Sequence, residues 1–276
     1  MPDRKKEHSV YPNKFSRKTN SWAQHWYGSI LLTSAVLIAY IFFSTLCGVS
    51  YGLLNGTLAI EIAVIIASLS LLYPDWGNWD ENGKFQKLLL KKPFRKSNLG
   101  LLVILVLLFI WLFWISQSAG SDLISLGDKT FDNNMKQVMQ NPFLYTLAGC
   151  FLAPISEELM YRGVIYSLLK KAFPVLVSAI LQALIFALMH GTIVQFPVAF
   201  GLGIFNAMIV QMADCYVFDI GFHMLFNIGA QFITPHLPNV VPNLQLALAI
   251  YTINIVLILL LFVWYLKKQK TRSWGS

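Results

Sequence analysis

Apolar residues in this chain do not alternate with polar ones; they gather into long runs, such as 30–47, 58–73, 99–115 and 244–266. A helix of about 20 apolar residues crosses the hydrocarbon core of a bilayer. Transmembrane strands instead alternate polar and apolar positions over about 10 residues. The pattern predicts an all-α fold: a polytopic membrane helical bundle of about eight transmembrane helices. Their spans are 28–47, 57–73, 99–116, 143–169, 172–190, 193–211, 217–234 and 244–266. The shortest connection lies between spans five and six, where only His190, Gly191 and Thr192 turn the chain. Between spans one and two, the segment from Gly48 to Gly56 reads as a short outer loop, with Asn55-Gly56-Thr57 fitting a tight turn.

Composition supports this reading: 56% of the 276 residues are hydrophobic and 12% charged, against roughly 25% charged in an average soluble domain. The net charge of +8 could suggest nucleic acid, but its placement argues for a bilayer and no nucleic acid. With the N-terminus inside, 18 of the 21 Lys and Arg residues fall in cytoplasmic segments, as the positive-inside rule requires. They are Arg4, Lys5, Lys6, Lys14, Arg17 and Lys18 before span one, six in 74–98, Lys170 and Lys171, and four after span eight. Both termini are then cytoplasmic, which suits a bacterial plasma membrane. The first 27 residues lead into span one without a small-residue cleavage site and read as retained. The domain boundaries are a basic segment 1–27, an integral membrane domain 28–266 and a basic tail 267–276. Within this domain, 74–98 reads as a cytoplasmic loop with an interfacial helix near 84–92, and 117–142 as the outer loop. Cys47, Cys150 and Cys215 lack metal-type spacing and read as buried structural thiols.

An ionisable residue inside a span costs about 2.5–3.5 kcal/mol by insertion scales, so those retained are paired or used. The second half of the chain keeps Glu157, Glu158 and Arg162 in span four, His190 at the end of span five, and His223 with Asn227 in span seven. In the first half Glu61 is comparable, but it lies near a boundary, where snorkelling to water serves as well as function. Glu158 and Arg162 are i and i+4 and meet on one helix face. Glu157 is turned about 100° away and has no local partner. A bare Glu-Glu-x-x-x-Arg is also compatible with a structural ion-pair cluster. Pro154 loosens the helix just before the pair. A glutamate and a neutral imidazole can polarise a water, and a second imidazole with a carboxamide can donate to an oxyanion. Other signatures are weak. There is no His-Glu-x-x-His motif, and Gly48-Val-Ser50-Tyr-Gly52 lacks the strand, turn and helix of a nucleophile elbow. Gly201-Leu-Gly203 reads as a helix-packing position.

Three pieces, Glu157-Glu158-Leu-Met-Tyr-Arg162, Phe186-Ala-Leu-Met-His190 and His223-Met-Leu-Phe-Asn227, occur in this order on separate spans. Together they resemble the motifs of the CAAX protease and bacteriocin-processing (Abi) family of intramembrane glutamic endopeptidases, over about 143–234. The resemblance implies a membrane-embedded hydrolase that cleaves a peptide or membrane-anchored protein substrate, of CAAX type or a bacteriocin or signal-peptide precursor. By it, Glu157 and His190 would activate water, and His223 and Asn227 would form the oxyanion site. Glu158 and Arg162 would hold the geometry, and no metal or other cofactor is expected.

A non-catalytic role competes with this one: the same residues could bind an ion, a proton or a peptide partner in an immunity or transport component. Straight, upright helices counted from Lys170 and Lys171 would put Glu157 about 20 Å and His190 about 28 Å from the cytoplasmic side, with His223 much nearer it. Convergence therefore requires tilted or broken helices.

Overall fold

A computed structural model describes residues 26–51, 53–76, 141–192, 195–213, 216–233 and 244–273, with residues 103, 106, 107, 109, 110, 136 and 236. The basic N-terminal segment up to residue 25, nearly all of the two long loops and most of span three lie outside the described residues, as does Cys215. Every bounded element among the described residues is helical. Helix α1 is Trp26–Tyr51 and α2 is Leu53–Trp76. A continuous helical run over 142–172 is α3, followed by α4 (Val175–Met189), α5 (Gln195–Ala213), α6 (Tyr216–Phe232) and α7 (Leu244–Ser273).

The helices match seven of the eight expected spans within a few residues, apart from extensions at the end of α7 and around the first connection. There α1 runs to Tyr51 and α2 starts at Leu53, so most of the predicted outer loop is helical and Asn55-Gly56-Thr57 lies within α2. The first turn of a helix tolerates such residues because its N–H groups have no intrahelical acceptors to lose. The Gly-x-Ser-x-Gly pattern accordingly falls at a helix end, away from any strand among the described residues.

Among the described residues, two helices are long and apolar enough to cross a membrane, with cores at Gln195–Met212 and Leu248–Gln269. Ile30–Leu46, Leu58–Ser70 and Val175–Met189 are shorter apolar stretches. Large apolar side chains cover the outer faces: Phe42, Ile66, Leu225 and Leu260 are each more than half exposed. In water such a surface would be an association site; against lipid it is the expected exterior.

Helix α5 is the centre of the bundle, with every residue from Gly201 to Val210 buried. It packs on α4 most closely, and also on α6 and α7. The close approach to α4 depends on small residues. A Cβ on Gly203 would fall 2.7 Å from the Cβ of Ala183, and Gln182 Nε2 donates across the gap to the Gly203 carbonyl at 2.7 Å. Gly203 is thus a packing position, as its sequence context predicts. Helices α1 and α2 pair with each other and lie against α3. Phe109 is buried among the rings of Phe205, Phe222 and Phe226, at 4.6–4.9 Å between centroids.

Helix α3 is not a uniform α-helix. Its α-helical turns Pro142–Thr146, Ala153–Glu157 and Tyr166–Ala172 alternate with π-helical stretches Leu147–Leu152 and Glu158–Ile165. Pro154 has no N–H to give, so the α pattern breaks in its neighbourhood. In the first π stretch the Ala153 N–H bonds to the Ala148 carbonyl, five residues back. In that register the next donor, for the Gly149 carbonyl, would be Pro154. Widened turns of this kind occur often at functional sites.

Candidate active site

The turn after α4 fixes the first histidine. His190 is the last residue in helical conformation, Gly191 follows with φ 67°, and only glycine takes that left-handed conformation without strain. Thr192 then caps α5: its Oγ accepts from the Gln195 N–H at 3.1 Å and donates to the Gln195 Oε1 at 2.9 Å. Thr192-Ile-Val-Gln195 is a capping-box pattern. His190 therefore occupies a rigid corner. Its Nδ1 lies 2.8 Å from the Phe186 carbonyl. A carbonyl can only accept, so Nδ1 carries the hydrogen, and Nε2 of the neutral ring keeps its lone pair.

The two adjacent glutamates of α3 have different surroundings. Glu158 is fully buried, and one of its oxygens, Oε1, meets three partners. His223 Nδ1 approaches it at 2.6 Å, Asn206 Nδ2 donates at 2.9 Å, and Arg162 Nη1 stands at 3.0 Å. Asp219, also fully buried and one turn before His223 on α6, lies within hydrogen-bonding reach of the same carboxylate. Glu157 keeps 22% of its side chain exposed, and its Oε2 is 3.6 Å from His223 Nε2. That distance is beyond a hydrogen bond but within ion-pair range. Glu158 is thus fully enclosed by these contacts, whereas Glu157 is the carboxylate that keeps an exposed edge.

One aromatic ring spaces the remaining groups. Phe186 is buried, and its ring centroid lies 4.5 Å from the Arg162 guanidinium carbon, 4.9 Å from Tyr161, 4.6 Å from His190 and 6.0 Å from His223. Asn227, one turn beyond His223, donates from Nδ2 to the Gly149 carbonyl at 2.7 Å. This replaces the donor that Pro154 lacks and ties α6 to the first π stretch. A carboxamide has two N–H groups, so one remains for another acceptor. Beside it Gln231 bridges the same helices, accepting from the Cys150 thiol at 2.9 Å and donating to Thr146 Oγ at 2.6 Å. Cys150 is thus a buried thiol, as expected.

The six residues singled out in the sequence occupy one region around Phe186 and α3. Glu157, Glu158, Arg162 and His223 touch directly, His190 reaches them across Phe186, and Asn227 sits on the backbone of α3. Their convergence follows from short and broken helices. The 15 residues of α4 make a rod of about 22 Å, short of a hydrocarbon layer of roughly 30 Å. Its terminal His190 can therefore lie within the layer. Asn206, Asp219 and Ser156 were not found from the sequence. The signals were there in part: Asp219 is i−4 to His223, and Asn206 is a polar residue within an apolar span.

Of the two readings open for Glu61, snorkelling to water and a role inside the bundle, the structure favours the second. Glu61 is only 8% exposed and accepts a hydrogen bond from Ser156 Oγ, so it faces the bundle and does not snorkel to water. The comparison with curated proteins gave no match, and neither did that with solved structures. Residues 139–229 match the family model described as type II CAAX prenyl endopeptidase Rce1-like. This match coincides with the three motifs and with the cluster built around Glu157, Glu158, His190 and His223, and it agrees with the resemblance to the CAAX protease and bacteriocin-processing family that those motifs carry.

Proposed function

We propose that the protein is an intramembrane endopeptidase in which Glu157 is the general base. The observation that carries this reading is the division of labour between neighbouring carboxylates. Glu158 is committed to His223, Asn206 and Arg162, while Glu157 remains partly exposed beside an imidazole. A water held between Glu157 and the Nε2 lone pair of His190 would lose a proton to the carboxylate as its oxygen attacks the peptide carbonyl. The negative charge would pass to the carbonyl oxygen, and collapse of the tetrahedral adduct would break the C–N bond. The proton held by Glu157 would leave with the amine. Overall, one water is consumed, and one carboxylic acid and one amine are formed.

His223 and Asn227 have the chemistry to receive the developing oxyanion. Asn227 would offer its second amide N–H. His223 Nδ1 is directed at Glu158, so its donation would come from Nε2 and requires that nitrogen to carry a proton. The eight-span arrangement with both termini cytoplasmic belongs to the same proposal and is supported by the placement of Lys and Arg. The substrate class is a peptide or membrane-anchored protein, prenylated near its C-terminus or a precursor awaiting export.

The test uses internally quenched peptides, with and without a prenylated cysteine in a C-terminal Cys-aliphatic-aliphatic-X sequence, and protein purified in detergent. Glu157→Gln keeps the volume and removes the base, and is expected to lower kcat by at least about 10²–10⁴-fold while melting like the wild type. Wild-type turnover in that variant would refute the glutamate mechanism.

A further inference from the structure

We propose that Glu61 of α2 is a positioning residue for Glu157, acting through Ser156, so that the helices preceding the matched segment are part of the peptidase machinery. The inference rests on Glu157 being the base. Ser156 is 1% exposed and immediately precedes Glu157. Its hydroxyl has one proton and two acceptors in reach: the Glu61 carboxylate and the Ala153 carbonyl three residues back, at 3.0 Å. A hydrogen bond to a carboxylate is roughly twice as strong as one to a neutral acceptor, so Glu61 takes the proton. Without Glu61 the hydroxyl turns back on its own helix, a bond that competes with helical geometry.

The turn that would deform is Ala153–Glu157, five residues lying between two π-helical stretches. Neither flank gives it a continuous α pattern, and Pro154 removes one of its donors. An anchor from a neighbouring helix therefore fixes its rotation about the axis, and with it the direction of Glu157. Glu61, Glu157 and Tyr40 of α1 lie within electrostatic range of one another. In this orientation Glu157 Oε2 lies 3.6 Å from His223 Nε2.

The experiment measures kcat, KM and thermal melting for Glu61→Leu, Glu61→Gln, Ser156→Ala and the Glu61→Leu, Ser156→Ala pair, on the quenched prenylated peptide. Glu157→Gln serves as the control for the base. Glu61→Leu and Ser156→Ala are each expected to lower kcat by about 10- to 100-fold, the size of one charge-assisted hydrogen bond. KM stays near the wild-type value. Glu61→Gln, which still offers Ser156 an acceptor, keeps more activity than Glu61→Leu. The pair should fall no further than the more damaged single variant, because both break one link. Ser156→Ala carries the test if Glu61→Leu does not fold. Wild-type kcat in Ser156→Ala, or losses that multiply in the pair, would overturn the proposal while an inactive Glu157→Gln leaves the base assignment standing. An active Glu157→Gln would instead remove the base assignment itself.

Discussion

Replacing Gly203 with alanine adds one methyl group at the closest approach in the bundle. The new Cβ would lie 2.7 Å from the Ala183 Cβ, 2.8 Å from the α-carbon of the same residue and 3.5 Å from Phe186 Cδ1. Carbon atoms rest at about 3.5–4.0 Å, so α4 and α5 must part by roughly 1 Å. Overpacking of this kind costs about 1–3 kcal/mol. The same movement stretches the 2.7 Å bond from Gln182 to the Gly203 carbonyl beyond hydrogen-bonding range, adding about 0.5–1.5 kcal/mol. A total of about 1.5–4.5 kcal/mol should appear as a clear drop in the melting temperature of detergent-purified protein. Because α4 carries Phe186 and His190, a displacement near 1 Å should also lower turnover, by up to about 10²-fold. Ala183→Gly in the Gly203→Ala background removes the clash with the methyl group but leaves the one with the backbone of residue 183, so it should restore only part of the stability. A Gly203→Ala variant that melts and cleaves like the wild type would refute this packing between α4 and α5.

Glu158→Gln and Arg162→Leu each leave a buried charge without its partner and should destabilise by about 3–5 kcal/mol, read by thermal melting. The double variant Glu158→Gln, Arg162→Met should regain part of that loss. Asn227→Ala is expected to lower kcat by about 10²–10³-fold with little change in KM, as loss of an oxyanion donor does. It should also cost about 1–3 kcal/mol of stability, because the Gly149 carbonyl loses its donor. Peptide cleavage by the wild type should survive exhaustive chelation. Activity lost on stripping and restored only by added zinc would refute the metal-free mechanism.

Periodicity located the helices well because each lipid-facing stretch must be apolar along its whole length. The residues of the site were legible for the same reason: Glu157, Glu158, Arg162 and His223 are conspicuous where charge is expensive. What periodicity could not convey is helical register. The π-helical stretches of α3 follow from how Pro154 and the neighbouring helices settle together, and no spacing of apolar residues marks them. The difference matters for Glu61, whose position along its span left an approach to water and a role inside the bundle equally open. Its real partner is a serine 95 residues away in sequence, and such a pairing depends on which faces of α2 and α3 meet. The connection after α1 failed for a local reason. Asn, Gly and Thr suit a turn, but they are equally acceptable at the start of a helix.

The Asn227 amide on the Gly149 carbonyl joins two helices at a point where the chain's own hydrogen bonding is incomplete. If α3 straightens at Pro154, that carbonyl swings and either drags Asn227 or loses its donor. His223 lies one turn from Asn227 on the same helix, and the turn that ends at Glu157, Ala153–Glu157, contains the proline. As long as the bond from Asn227 to Gly149 holds, bending of α3 moves Glu157 and the His223–Asn227 face of α6 together. On the proposed mechanism, a substrate that wedges these helices apart without breaking that bond would shift the base and the oxyanion donors together, keeping their mutual alignment while the opening between helices changes width.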